Sequence, residues 1–369
     1  MHRIGWRASF FRRLSGILLS FAALLAAPLA LGEQRVVAPK FGLPIRCEPG
    51  RDCFVQNYFD RDPGPGWRDF ACGALSYDGH HGTDFRLPSL ARMAQGVAVL
   101  AAAPGRVAAV RDGEPDVSVR ERGLEAVKGR EAGNAVRIDH GNGWQTQYSH
   151  LRRGSVRVRP GQWVEAGEEL GLVGLSGKTE FPHVDFVVRH QGRPLDPYAP
   201  ALGPAASVGG ASDPVPGAPS ADTPAQASGD CRTAPADTTL WRDELRDVLR
   251  YVPSGVLVSG FALGSIDRER AQREESVDTA ETHSPAIFFF VEVFGLRGGD
   301  VERISIEAPD GRRVLSNRRE VERNQAVRYL GVGARVPASG WMPGRYLGRY
   351  ELERAGVVVA QVQRGLVIQ

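Results

Sequence analysis

Short apolar runs separated by Gly, Pro and Asp recur through the first half of the chain. They include VAVLAAAPGRVAAV, NAVRIDHGNGWQTQYSHL, GQWVEAGEELGLVG and HVDFVVRHQGRPLDP. Runs of this length bounded by turn residues predict β-strands rather than long helices. We therefore predict an all-β domain over residues 67–200, after a turn-rich N-terminal segment over 33–66. The charged stretch 111–130 is predicted to form a surface loop or a short helix.

A second group of apolar runs begins near residue 239 and includes AIFFFVEVFGL and RISIEAPDGRRVL. The APDG sequence before RRVL predicts a hairpin turn. About seven strands within about 130 residues predict an immunoglobulin-like β-sandwich over residues 239–369. Its one histidine, His283, lies in a polar loop, so we predict that this domain packs or binds and supplies no metal ligand.

Residues 201–238, between the two predicted domains, are mostly Ala, Gly, Pro and Ser and contain no aromatic residue. Such a segment buries too little apolar surface to offset the entropy lost on ordering. We therefore predict a flexible linker there, which makes the whole chain mainly β with two folded domains.

The N-terminus predicts export. The first 13 residues carry four arginines and no acidic residue, and an uncharged apolar run over 14–31 leads to the small residues Ala30 and Gly32. This layout is typical of a secretory signal peptide, predicted over residues 1–32. The alternative is an uncleaved anchor, because a run of about 18 residues is near the lower limit of a membrane span.

Composition and charge narrow the class of protein. The chain has 369 residues, of which 42% are hydrophobic, and this is typical of globular domains and excludes a wholly disordered chain. Its net charge is +3, from 46 basic and 43 acidic side chains. An even balance argues against nucleic acid as the partner. The four cysteines, Cys47, Cys53, Cys72 and Cys231, predict two disulfides in an oxidising compartment, with three connectivities open.

Candidate chemistry is concentrated in histidines and aspartates of the first domain. His80 and Asp84 are four residues apart around Gly82, a spacing at which a strand–turn segment can bring an imidazole and a carboxylate to one metal ion. His183 and Asp185 are two residues apart, so on a strand they share a face. Imidazole and carboxylate together suit zinc. His150 ends another alternating run, QTQYSHL.

The order of these motifs resembles the LytM/lysostaphin-like zinc metallopeptidases. The resemblance covers residues 77–197 and rests on GHHGTDF, the HGNGW turn, YSHL, and FPHVDF before the VRHQGRPLDP tail. It implies an antiparallel β-sheet peptidase core with zinc as cofactor. It also implies that His80 and Asp84 bind zinc, that His150 positions water and supports the oxyanion, and that His183 is the general base or electrostatic partner.

The third ligand of this family is a histidine, and here the matching position is Asp185. The family histidine is understood to bind through Nδ1, and an Asp carboxylate oxygen reaches nearly the same point, so we predict that Asp185 binds the metal. Two carboxylates neutralise the charge of Zn²⁺, and a more neutral site acidifies its bound water less. Three other histidines are predicted not to bind metal. His81 should point to the face opposite His80, His140 lies in the IDHGNGW turn, and His190 lies past the site strand.

The resemblance implies an exported, periplasmic zinc metalloendopeptidase that hydrolyses peptide cross-links of peptidoglycan, with peptide stems as partner and no stable membrane anchor after signal cleavage. The alternative is a non-catalytic LytM-domain protein that binds the cell wall or regulates a cell-wall hydrolase, such as an amidase or a divisome component. A third class is an adhesin built from two β-modules. Zinc content separates the first two classes.

Overall fold

The computed structural model describes residues 38–200 and 238–369, which belong to one compact unit, Ala38–Gln369. The predicted signal peptide, most of the predicted linker and Cys231 lie outside the described residues. Within the described ranges, no helix combines the length and the apolar character that crossing a bilayer requires.

The first domain is built on one antiparallel sheet of eight strands in the order β1-β2-β9-β6-β5-β4-β7, with β10 paired to β9. A separate antiparallel pair, β3 with β8, packs on the same core. The strands are β1 Phe54–Asn57, β2 Thr83–Arg86, β3 Ala98–Leu100, β4 Gly105–Arg111, β5 Asn134–Gly141, β6 Trp144–Leu151, β7 Trp163–Val164, β8 Glu169–Leu172, β9 His183–His190 and β10 Arg193–Leu195.

Helices are short and lie in the connections. The α-helices are α1 Leu90–Gln95, α2 Val119–Arg122 and α3 Arg268–Gln272, and the 3-10 helices include Glu125–Val127 and Asp243–Leu245. Helix α2 and the turn after it lie in the charged stretch 111–130, as predicted from its polarity. Ser89 caps α1 by accepting a hydrogen bond from the Arg92 backbone N–H.

The core of the first domain extends past both predicted boundaries. Strand β1 lies in the N-terminal segment predicted over 33–66, yet it pairs with β2 and contributes Val55 to the core. Trp241, within the predicted sandwich, pairs with Phe41 and is 2% exposed in the same core. Packing of these large side chains, rather than the change in composition, therefore sets the limits of the domain.

The second domain consists of two sheets around one core. One sheet has the order β11-β13-β16 and the other β12-β18-β17-β14-β15. The strands are β11 Gly255–Ala262, β12 Thr279–Ala280, β13 Ala286–Leu296, β14 Val301–Glu307, β15 Arg313–Glu320, β16 Gln325–Arg335, β17 Gly344–Arg354 and β18 Val357–Ile368. The APDG turn joins β14 to β15 as a hairpin. The predicted mainly β fold with a C-terminal sandwich is confirmed, with eight strands in place of about seven.

One disulfide has both partners among the described residues. Cys47 and Cys53 are bonded across the turn that precedes β1. Cys72 is also disulfide-bonded. Disulfide formation, which the even cysteine count predicted, is confirmed.

Candidate metal centre and active site

The site lies on one face of the central sheet, where β2 runs antiparallel to β9. Asp84 is directly opposite Asp185, and Arg86 is directly opposite His183. Because residues two apart on a strand point to the same side, these four side chains share one face. The alternation that suggested a common face for His183 and Asp185 therefore also holds for Asp84, from a strand almost 100 residues earlier in the chain.

His80 reaches this face from the loop before β2. Asp60 organises the loop: its carboxylate accepts hydrogen bonds from the Arg68 and Gly79 backbone N–H groups, at 3.0 and 2.9 Å. The Asp60 backbone N–H donates to the His80 carbonyl at 2.7 Å. The Tyr77 ring stacks on the His80 ring with centroids 4.4 Å apart. These contacts fix the imidazole without using its Nε2 atom.

Three side chains converge as a potential metal-binding group. One ligand atom from each of His80, Asp84 and Asp185 lies within 4.8 Å of the other two. His80 Nε2, Asp84 Oδ1 and Asp185 Oδ1 are all buried and have no hydrogen-bond partner. Buried polar atoms are almost always satisfied, and a cation would satisfy all three at once. The residues present therefore fit a metal ion.

Gly82 provides the room for this group. A Cβ atom at this position would lie 1.8 Å from Asp185 Oδ1 and 3.0 Å from Asp185 Cγ. Only a residue without a side chain leaves the carboxylate where it is. The glycine in the GHHGTDF motif thus has a steric role that links the loop to strand β9.

Asn57 orients the Asp84 carboxylate. Its Nδ2 donates to Asp84 Oδ2 at 2.7 Å, which leaves Oδ1 directed at the group. Such a hydrogen bond fixes the carboxylate in the orientation that a metal requires.

Replacing Asn57 with alanine is expected to weaken zinc binding by about 10- to 100-fold, because Asp84 loses the contact that holds its orientation. Competition with a chromophoric chelator measures the affinity. Asn317→Ala, on exposed strand β15, is the control and should bind zinc as the unmodified chain does. Equal affinities for Asn57→Ala and Asn317→Ala would contradict the role of Asn57.

His183 lies beside the group. Its Nδ1 is 2.9 Å from the Phe181 carbonyl oxygen and 3.1 Å from Thr179 Oγ1. A carbonyl can only accept, so Nδ1 carries a proton. Burial disfavours the charged imidazole, but the neighbouring Asp84 carboxylate outweighs burial and raises the pKa of His183. Nε2 is 3.4 Å from Asp84 Oδ1 and therefore faces the metal-binding group.

His150 completes the cluster. Its Nδ1 donates to the Ser176 carbonyl at 2.7 Å, and its ring centroid is 4.6 Å from that of His183. Its backbone has φ of +64°, a conformation that few non-glycine residues adopt and that is common at functional sites. Burial, followed by the neighbouring His183, lowers the pKa of His150 to about 3, so its imidazole is neutral at neutral pH.

The pKa values of the Asp84 and Asp185 carboxyl groups are shifted in opposite directions. Burial, followed by repulsion from Asp84, raises the pKa of Asp185 to about 6. Burial also opposes ionisation of Asp84, but attraction from His80 and His183 outweighs it and holds the pKa of Asp84 well below its usual range. Two buried carboxylates this close favour a cation between them.

The remaining histidines of this domain lie apart from the group. His81 is exposed and its ring lies 5.7 Å from that of Phe59. His140 interacts through both ring nitrogens, with the Pro104 carbonyl and Thr146 Oγ1. His190 stacks on Trp144 with centroids 4.3 Å apart. The structure thus brings together all five predicted site residues, whereas these three histidines make ring contacts or hydrogen bonds elsewhere.

Several residues that position the site were not predicted from the sequence. Asn57 lies in the segment assigned no role and gives no local signal, since it meets Asp84 only through the pairing of β1 with β2. Ser176 and Thr179 had a usable signal, because they lie in the polar SGKTEF stretch immediately before His183.

Comparison with known proteins identifies the family. Residues 78–197 match the sequence profile of Peptidase family M23. This part of the chain is an M23 peptidase domain. The LytM-like family assigned from the motifs is confirmed, and the M23 domain contains all five site residues.

Similar proteins share this domain. Over 82 residues the chain is 39% identical to the DD-carboxypeptidase/endopeptidase Mpg of Neisseria meningitidis serogroup B, covering 22% of this chain and 18% of that protein. Over 77 residues it is 38% identical to the peptidoglycan DD-endopeptidase ShyA of Vibrio cholerae serotype O1, covering 21% and 17%. The matches thus span less than a fifth of either relative. A zinc containing peptidase of known structure from Vibrio cholerae is 26% identical over 38% of this chain and 39% of that chain, with a TM-score of 0.25.

Proposed function

We propose that the chain is an exported zinc metalloendopeptidase that hydrolyses peptide cross-links of peptidoglycan. The observation that carries this proposal is the set of three buried, unsatisfied ligand atoms of His80, Asp84 and Asp185, with Nε2 of His183 3.4 Å from Asp84 Oδ1. An M23 domain supports a metallopeptidase in general terms. Zinc accepts nitrogen and carboxylate oxygen ligands and commonly uses three protein ligands in catalytic sites.

Zinc held by His80, Asp84 and Asp185 would polarise the scissile carbonyl and acidify a water molecule. His183 accepts the proton of that water at Nε2, because its Nδ1 proton is held by the Phe181 carbonyl. The same Nε2–H then donates the proton to the leaving amine. Because the Nδ1 proton of neutral His150 is donated to the Ser176 carbonyl, its Nε2 lone pair is available to orient water.

The substrate and compartment rest on similarity and on the N-terminus. The relative from Vibrio cholerae is named a peptidoglycan DD-endopeptidase, and the one from Neisseria meningitidis a DD-carboxypeptidase/endopeptidase. The basic and apolar layout of residues 1–32 suits secretion across the inner membrane. We therefore place the activity on peptide stems of peptidoglycan in the periplasm.

Asp185 favours one second candidate, a non-catalytic protein that binds the cell wall or regulates an amidase or another cell-wall hydrolase. Two carboxylates and one imidazole leave the site with no net charge when Zn²⁺ is bound. A neutral site acidifies water less than a site with one carboxylate. Such a protein would keep the fold of the endopeptidase but would lack turnover or bound zinc.

Metal content and cleavage of cross-linked muropeptides by the full mature chain test both candidates. The endopeptidase predicts one zinc per chain and shortened cross-links, which a His183→Ala variant should not produce although it retains zinc. A folded chain that binds sacculi without zinc and without cleavage would support the regulator instead. His190→Ala, a histidine of the same strand outside the cluster, is the matched control and should retain both properties.

A further inference from the structure

The metal-binding face of the sheet ends in a buried cation. Arg86 follows Asp84 by two residues on β2 and is 0% exposed, although arginine is rarely buried completely. Its neighbours come from both domains: Gln56 and Phe181 from the first, and Glu292 from the C-terminal sandwich. Arg86 was given no role in the metal-binding group or in the proposed catalysis.

The sandwich docks through strand β13, whose two faces have different partners. Phe289, Val291 and Val293 point into the sandwich core. The alternate residues Phe290 and Phe294 form a second cluster, which includes Phe54 of β1 in the first domain. The Phe54 and Phe294 rings lie 5.4 Å apart. An apolar contact thus joins the sandwich to the edge strand of the peptidase sheet.

Glu292 lies on this docking face and is also 0% exposed. Its Oε1 lies 3.6 Å from Arg86 Nη2 across the domain boundary. Within the sandwich, Oε1 accepts hydrogen bonds from Arg268 Nε and Nη2 at 2.9 and 2.6 Å, and Oε2 accepts one from Gln272 Nε2. Arg86 Nη1 in turn donates to Gln56 Oε1 on β1.

The two arginines beside Glu292 differ in how much they depend on its negative charge. Burial lowers the pKa of Arg86 to about 10, so it remains a cation at neutral pH. Among residues 38–200 and 238–369, Glu292 supplies the carboxylate within 4 Å of it. The Arg268 side chain is 41% exposed and can be solvated without Glu292. Removal of the Glu292 charge therefore leaves Arg86, rather than Arg268, uncompensated.

Arg86 connects this ion pair to the site. Its guanidinium carbon lies 4.6 Å from the centroid of the Phe181 ring. Phe181 in turn contacts His183: the ring centroids are 4.6 Å apart, and the Phe181 carbonyl accepts from His183 Nδ1. A guanidinium over an aromatic face is an attractive contact that strengthens when it is desolvated.

We propose that Glu292 is a positioning residue for the M23 site, which acts through Arg86 and Phe181 to hold the His183 ring in its orientation. The inference rests on the proposed function only in giving His183 a role in turnover. The C-terminal sandwich is then a structural part of the active site, although it supplies no ligand of the metal-binding group.

Histidine ring ¹H–¹³C NMR of the metal-free full chain tests this without any turnover. Unmodified protein should show one His183 ring signal displaced by the ring currents of Phe181 and His150, whose centroids each lie 4.6 Å from it, and His183→Gln assigns the signal. Glu292→Gln should shift or split this signal, and it should lower kcat for muropeptide cleavage by about 10- to 100-fold while KM and zinc affinity stay unchanged. Arg86→Met should give the same changes, and it keeps Glu292 paired with Arg268, so its fold is better protected.

Glu302→Gln is the matched control. Glu302 is 2% exposed, pairs with Arg328 at 3.1 Å and accepts from the Tyr350 hydroxyl, all within the sandwich. It should leave the His183 signal and kcat unchanged. An unchanged His183 signal in both Glu292→Gln and Arg86→Met, or the same change in Glu302→Gln, would overturn the proposal. If the chain cleaves no muropeptide at all, the proposed function fails, and the NMR comparison still decides the role of Glu292.

Discussion

Replacing Asp185 with alanine is expected to lower zinc affinity by orders of magnitude. The substitution leaves His80 and Asp84 as the remaining members of the proposed ligand set, and two ligands hold zinc far more weakly than three. Asp185→Asn should also weaken binding, because it keeps the size of the side chain and removes its charge. Competition with a chromophoric chelator measures both effects.

Asp185→His distinguishes a working site from a decayed one. It supplies the histidine that the LytM-like family uses and raises the net charge of the zinc site by one, which should lower the pKa of bound water. We expect retained or stronger zinc binding and a pH–rate profile shifted to lower pH. His81→Ala, next to a ligand but exposed, is the control. Stoichiometric zinc in Asp185→Ala would refute the ligand assignment.

Replacing Gly82 with alanine is expected to abolish high-affinity zinc binding while the domain stays folded. The added Cβ would lie 1.8 Å from Asp185 Oδ1, a separation that no pair of non-bonded atoms maintains, so the carboxylate must move away. A shift of about 1 Å or more in a ligand is enough to disrupt zinc coordination, since ligand distances hold within about 0.2 Å. Zinc titration measures the loss of metal binding, and circular dichroism of the same variant shows whether the domain is still folded.

Gly64→Ala is a suitable control for this effect. Gly64 lies in the same loop between β1 and β2, and an added Cβ would approach Asp62 Oδ1 at 3.2 Å. It should bind zinc normally, because the added Cβ meets no atom of His80, Asp84 or Asp185 within 4 Å. Unchanged zinc affinity in Gly82→Ala would mean that Asp185 adopts another position when the metal is bound.

Candidate site residues could be picked out from the sequence because they lie in short motifs whose order resembles the LytM/lysostaphin-like peptidases. His80 and Asp84 are separated by one turn, and His183 and Asp185 by one strand pleat, so local geometry can bring each pair to one place, while the role of each residue came from the resemblance. The β-strands were equally predictable, since their alternation reports which face is buried. The APDG hairpin followed from turn chemistry in the same way.

The tertiary structure decided which motifs meet and what surrounds them. Pairing of β1 with β2 brings Asn57 to Asp84, and pairing of β2 with β9 places Asp84 opposite Asp185. The run AIFFFVEVFGL predicts a buried strand, but not that its second face covers Arg86. A pattern of hydrophobic residues predicts which side chains are buried, but it does not predict which other part of the chain covers them. Contacts between segments far apart in the chain, and the charge pair of Arg86 with Glu292, therefore depend on the folded chain.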